Sequence, residues 1–267
     1  MRKKGLVNVL GIGINACTEL SVPSLHAFLK AEGFPDIEIG IDREGTDFPG
    51  KNTYQHRLAA MEVKHKTNDE CLDAVKLYRK VLSQADEKVD IAEIGFETIL
   101  AGLLKSNPDE FSPLSGIELI KQKVNKLWLM AGKWDDLSTG YEYNFSANQR
   151  ARVAASYVCD KWPTEITYLG FEVGEKVITG GSLLDGDILK DVLTAYGHPS
   201  GRSSWDPMLV LLACINDEEK AGYYIKRGRA SLDIATGYNH FVFDANGPHR
   251  FVIKKFPDSF YADMIKN

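Results

Sequence analysis

The chain has 267 residues, 44% of them hydrophobic and 26% charged, which is the range of an ordinary globular protein with a normal core. Its formal net charge of -5 at pH 7 argues against general affinity for nucleic acid or for an anionic membrane. Cys17, Cys71, Cys159 and Cys214 are scattered, with no CxxC and no Cys/His cluster. That excludes the usual zinc and disulfide-scaffold patterns, and each cysteine reads as a small buried hydrophobe.

Met1-Arg2-Lys3-Lys4, the apolar run after it and Asn15-Ala16-Cys17 imitate a lipoprotein signal. Asn8, Gly11 and Gly13 interrupt that run, so a strand over 7–14 is the better reading. No run of about 18 apolar residues follows anywhere, so no membrane span is expected. Residues 21–30 carry an apolar stripe with Ser21 as N-cap, and 37–41 form a short strand. A helix is predicted over 69–84, with Leu72, Val75, Tyr78, Val81 and Leu82 on one face. A strand at 89–94 and a helix at 98–104 follow. Next come a strand at 126–130, an alanine-rich helix at 147–158 and a strand at 166–171. Helices over 184–196 and 207–215 complete this part. Residues 223–235, 241–243 and 250–253 alternate like antiparallel strands.

This alternation predicts an α/β protein: a mainly parallel, doubly wound sheet flanked by helices, with a C-terminal antiparallel hairpin region. The loop over 42–53 is rich in Gly, Asp and Pro but too short to separate domains, so a single domain over 1–267 is expected.

Ligands of such sheets bind beyond the carboxyl ends of the strands. The polar residues falling there are Asn15, Thr18, Asp42, Asp47, Glu93, Lys133, Asp135, Asp136, Glu142, Asn144, Glu172 and Asp206. A rim with many carboxylates suits a polyhydroxylated sugar or a hard cation. Glu142 and Asn144 are two apart and would point the same way in extended backbone. The plainer alternative is a solvated loop, with Asn144 or Ser146 as a helix cap. Asp206 before Pro207 reads equally as an N-cap, which leaves an oxygen for a sugar or a metal. Trp205 beside it either stacks on a base or fills the core. His240, after Tyr238-Asn239, is the histidine best placed for a flap, though a structural role fits all six histidines. No Ser/His/Asp motif occurs. Gly11-Ile12-Gly13 lacks the third glycine of a dinucleotide fingerprint.

The order of these motifs resembles the inosine-uridine preferring nucleoside hydrolase family, in particular its divergent bacterial branch. Val9-Leu10-Gly11-Ile12 looks like that family's second strand, and Glu93-Ile94-Gly95-Phe96-Glu97-Thr98 like its strand-to-helix turn. Leu129-Met130-Ala131-Gly132 resembles its Met-Gly-Gly turn, and Glu142-Tyr143-Asn144 its Glu-Phe-Asn. Gly170-Phe171-Glu172-Val173-Gly174 and Ser204-Trp205-Asp206 follow in the family's order. The resemblance implies a ribonucleoside or related riboside as partner, bound by Asn15, Glu142, Asn144, Trp205 and Asp206. It implies calcium held by Asp206 and the carbonyl of Ile94, and cleavage of the base–ribose bond by water. Trp205 stands where many members have a histidine.

The family's opening Asp-x-Asp-x-x-x-Asp-Asp, which supplies the general base, has no counterpart in this sequence. The expectation is therefore an N-terminally incomplete nucleoside-hydrolase-like domain with weak or absent calcium binding and little hydrolysis. Its alternatives are a non-catalytic riboside-binding homologue and a purely structural α/β protein. A homo-oligomer is compatible with these readings. A cytoplasmic location is expected, unless a missing N-terminus carried a signal peptide.

Overall fold

The computed structural model describes residues 5–47, 54–136 and 140–266; the basic start at 1–4 and the 48–53 part of the Gly/Asp/Pro-rich loop lie outside them. The chain alternates between two compact units, Met1–Val81 with Thr179–Arg202 and Leu82–Ile178 with Ser203–Asn267.

The first unit opens with β1 (Ile12–Ile14), α1 (Ser21–Ala31), β2 (Ile39–Ile41), α2 (Gln55–Ala59), β3 (Leu72–Asp73) and α3 (Ala74–Gln84). β1, β2 and β3 form a parallel sheet in that order, with Ile12 opposite Ile39 and Gly40 opposite Leu72. Val22 and Leu29 of α1 pack with Ile39 and Ile41 into its core. Ser21 is the first helical residue rather than the cap; its hydroxyl accepts from the Thr18 N–H and donates to the Ala16 carbonyl. The long helix predicted over 69–84 is shorter, because Leu72 joins the sheet and the Asp73 carboxylate then accepts from the N–H of Val75 and Lys76. Such an acceptor satisfies the open donors of a first helical turn.

The second unit begins with β4 (Val89–Glu93), α4 (Thr98–Lys105), α5 (Gly116–Lys123), β5 (Val124–Met130) and β6 (Gly140–Tyr141). It continues through α6 (Tyr143–Ser146), α7 (Gln149–Lys161), β7 (Glu165–Leu169) and α8 (Phe171–Gly174). The chain then passes through β8 (Ile178–Thr179), α9 (Ile188–Ala195) and β9 (Arg202–Ser203), where β8 pairs with β9. It returns through α10 (Trp205–Ile215), β10 (Tyr223–Leu232), β11 (Tyr238–Phe243), β12 (His249–Lys254) and α11 (Asp258–Lys266).

Seven strands make one sheet in the order β4-β5-β7-β12-β10-β11-β6. β4, β5, β7 and β12 run parallel; β10, β11 and β6 add antiparallel. The mainly parallel, helix-flanked sheet with an antiparallel C-terminal region is thus the architecture of the protein. β5 and β7 are inner strands of this sheet and almost continuously buried, as strands covered on both faces are. Trp128, Met130 and Leu169 pack there with Leu209 and Leu212 of α10 and with Val252. No helix among the described residues is long and apolar enough to cross a membrane.

Candidate functional site

The polar residues of the second unit gather where β4 and β5 end. The turn after β5 is fixed by Gly132, whose φ is +80°; a Cβ there would lie 2.5 Å from the Trp134 ring, so a side chain is excluded twice over. The Trp134 indole N–H donates to the Ala131 carbonyl at 3.1 Å, and its ring stacks on Phe251.

Onto this turn folds Glu142. Its backbone is extended, but the next residue is helical, and Glu142 is the N-cap of α6. One carboxylate oxygen accepts from the Asn144 N–H at 2.9 Å. The other accepts from Gly132 N–H at 3.1 Å and Phe145 N–H at 3.3 Å. The extended Glu142–Asn144 pair expected from the spacing is therefore replaced by a helix cap. Neither Asn144 nor Ser146 is the cap; Asn148 caps α7 instead, accepting from the Ala151 N–H. Asn144 occupies the first turn of α6. Its amide donates to the Met130 carbonyl at 2.8 Å and the Ile94 carbonyl at 3.4 Å. One side chain thereby ties together the ends of two neighbouring parallel strands.

Three carboxyls are buried here: Glu93, Glu97 and Glu142. Glu93 accepts from the Gly95 N–H at 2.9 Å. Burial pushes Glu142 up to about 7, against the pull of its three backbone donors, and Asp206 adds to the rise. Burial also lifts Glu172 to about 7; it accepts from the Trp134 N–H at 3.2 Å and senses Asp135 and Lys133. Lys133 is itself held by Asp135 at 2.5 Å. The rim is strongly acidic, and its members compete for protons.

Asp206 is not the N-cap of α10. Ser204 holds that position, and Asp206 sits half-buried in the first turn, where a carboxylate is favoured by the helix dipole. The Trp205 indole N–H donates to the Phe171 carbonyl at 2.7 Å, and its ring lies 5.3 Å from that of Phe171. Gly174 has no room for a Cβ beside Trp205, so this ring is packed on two sides. Asn15 and Thr18 belong to the first unit, in the segment after β1. There the Thr18 hydroxyl donates to Gln55 at 2.8 Å. Among the histidines, His249 is buried; its Nδ1 accepts from the Ala230 N–H at 2.8 Å, and burial lowers it to about 4. This is a structural histidine. Glu97 is the functional candidate that the sequence does not single out. Its one signal is an acid set directly against the apolar run Thr98-Ile99-Leu100-Ala101-Gly102-Leu103-Leu104.

A calcium ion needs roughly six to eight oxygen ligands. Among the described residues no group of three or more His, Cys, Asp or Glu is placed to hold a metal ion, and the Ile94 carbonyl is engaged by Asn144. The donor set present does not fit calcium.

The class defined by this geometry is an α/β fold with its polar rim at the carboxyl ends of parallel strands, and solved structures share that fold. The chain is similar to the inosine-uridine preferring nucleoside hydrolase from Bacillus anthracis, at 15% identity and a TM-score of 0.65 over 97% of this chain and 89% of that one. It is similar also to the type III effector XopQ complexed with adenosine diphosphate ribose, at 11% identity and a TM-score of 0.56. That match covers 92% of this chain and 77% of the effector. The effector XOO4466 matches at 11% identity and a TM-score of 0.59, over 92% of this chain and 78% of that one. No family model and no curated protein matches the sequence.

Proposed function

We propose that the protein binds a ribonucleoside or related riboside at the rim of its second unit, without hydrolysing it through the residues described. The observation that carries this reading is the Glu142–Asn144 arrangement. It sets a carboxylate and an amide at the carboxyl ends of β4 and β5, the position where ligands of parallel sheets bind. Likeness of fold to a nucleoside hydrolase and to an effector complexed with adenosine diphosphate ribose supports a ribose-bearing ligand. Charge decides between the two ligand types. Glu172 and Asp135 lie beside Lys133, which is already paired with Asp135, and Asp206 acts on Glu142. A diphosphate would meet like charge, so an uncharged nucleoside fits better. Exposed Tyr141, Tyr143 and Tyr238 offer faces on which a base can stack.

Hydrolysis by calcium-assisted water attack is the second reading, favoured by the likeness to the hydrolase. It requires a general base and a calcium site that the described residues do not assemble. In the first reading these residues bind and orient only: Asn144 presents its amide at the rim, and Glu142 holds Asn144 in place.

The test is calorimetric titration with a panel of nucleosides and with adenosine diphosphate ribose, alongside an assay of base release with and without calcium. Nucleoside binding without base release, lost in Asn144→Ala, is the expected result. Base release that requires calcium would establish the second reading. No binding of any riboside would overturn both.

A further inference from the structure

Glu97 is wholly buried, and both carboxyl oxygens lack a hydrogen-bond partner among the described residues. It stands at the start of α4 in the N-cap position, but its side chain caps nothing. Its own backbone N–H is near, yet the carboxyl makes no hydrogen bond. The ionisable groups around it come from four places: Glu93 at the end of β4, Glu142 ahead of α6, Cys159 of α7 and Tyr168 of β7. None of these is a cation. Cys159 and Tyr168 are hydrogen-bonded to each other at 3.2 Å.

The contrast with Glu142 assigns the proton. Glu142 accepts from three backbone N–H groups, which favour a carboxylate. Among the described residues the Glu97 carboxyl makes no hydrogen bond, and the ionisable groups around it, Glu93 and Glu142 among them, are all acids. A charge in that position carries a large desolvation cost, and burial with Glu93 and Glu142 holds its carboxyl well above the usual range. Two carboxyls whose surroundings drive them apart divide into an acid and a base.

We infer that Glu97 is the proton-bearing member of this buried cluster, a positioning residue whose neutrality lets Glu142 ionise and hold Asn144 at the rim. Only the effect on binding rests on the riboside reading; the proton on Glu97 does not. The sign follows from linkage. The folded protein holds this proton more tightly than the unfolded chain, so its contribution to stability is complete at acidic pH. That contribution is lost as pH rises through the folded value. Ionising Glu97 sets a second charge beside Glu142, so riboside binding weakens on the alkaline side as well.

The experiment is carboxyl-carbon NMR of glutamate-labelled protein from acidic to alkaline pH. Wild type, Glu97→Gln and the apolar Glu97→Met are compared, with uridine affinity measured in parallel. The expected result is a carboxyl resonance that stays protonated through neutral pH and is absent from both variants. Uridine affinity of the wild type falls on the alkaline side by about tenfold for each pKa unit by which the two carboxyls couple, and Glu97→Gln shows no such alkaline fall. An ionised Glu97 resonance at neutral pH overturns the inference, and so does an equal alkaline loss in Glu97→Gln. Should Glu97→Gln fail to fold, Glu97→Met decides: greater alkaline stability than wild type supports the inference, and lower stability at every pH overturns it. A protonated Glu97 with no uridine binding at any pH supports the proton assignment and sinks the riboside reading instead.

Discussion

The two ends of the parallel strands in the seven-stranded sheet treat charge in opposite ways. At the amino ends, Lys126 of β5 contacts Glu218 at 2.5 Å and Glu165 of β7 at 3.2 Å. Glu165 also takes Arg227 at 2.8 Å and Arg250 at 2.5 Å, while the Thr167 hydroxyl donates to Glu218. Burial would raise Glu218, but Lys126, helped by the Glu218 backbone N–H and the Thr167 hydroxyl, more than offsets it and the carboxylate lies below its ordinary range. At the carboxyl ends, Glu142 and Glu172 are held by backbone N–H groups, and among the described residues the buried Glu97 carboxyl has no hydrogen-bond partner. Paired charge is what a structural site shows; unpaired acid with raised proton affinity is what a site kept for chemistry or binding shows. The difference supports the proposed site at the carboxyl ends independently of any likeness to other proteins.

Breaking the paired end is expected to have the largest effect on stability. Lys126→Met removes one of three cations, Lys126, Arg227 and Arg250, from a cluster in which its side chain is 9% and that of Glu218 12% exposed. Two carboxylates then lose a partner, at a cost of about 3 kcal/mol in denaturant unfolding. A loss no greater than that of an exposed ion pair, under about 1 kcal/mol, would dissolve the distinction between the two ends.

At the unpaired end, Glu142→Ala deletes the cap of α6 and orphans the N–H groups of Gly132, Asn144 and Phe145. The expected cost is about 2 kcal/mol, with loss of riboside binding. Glu142→Gln sharpens the comparison through pH. With its folded value raised to about 7, Glu142 contributes stability that is complete below the ordinary carboxylate range and is lost as pH rises through about 7. Wild-type melting temperature should therefore drop across that window, with a smaller drop in Glu142→Gln. His249 acts in the opposite sense. Lowered to about 4, it is held neutral by burial, so its share of stability goes as pH falls from its ordinary range toward that value.

Much of the fold is legible in the sequence. Leu127-Trp128-Leu129-Met130 reads as a buried strand because nothing polar interrupts it, the β-branched and aromatic run before Gly170 reads as another, and the alternation after Tyr223 reads as antiparallel. Boundaries fail where one side chain decides: Asp73 starts α3 at Ala74, five residues after the predicted start at 69. α5 hides although Ser115 and Glu118 form a reciprocal cap, since the stretch before it carries little periodicity. The proposed site can be named from the sequence but its geometry cannot be read there. Two residues apart, Glu142 and Asn144 fit a strand as well as a helix start. The choice is made by the N–H of Gly132, ten residues earlier, a contact that no local pattern records. Glu97 is harder still, because an acid at a helix start is ordinarily a solvated cap, and only packing makes it a buried one.

The smallest expected effect separates structure from function most cleanly. Asn144→Ala removes one good hydrogen bond to the Met130 carbonyl and a long one to the Ile94 carbonyl, at a half-buried position. The expected loss in unfolding free energy is about 1 kcal/mol, because water can reach the freed carbonyls. If Asn144 is only a strap between β4 and β5, this modest loss is the whole phenotype and nucleoside titration is unchanged. If it also orients a ribose, affinity falls by much more than the stability change alone would produce. Asn144→Asp then fails too, since it replaces a donor with a charge beside Glu142. Titration of both variants, with folding verified by thermal melt, reads the two roles apart.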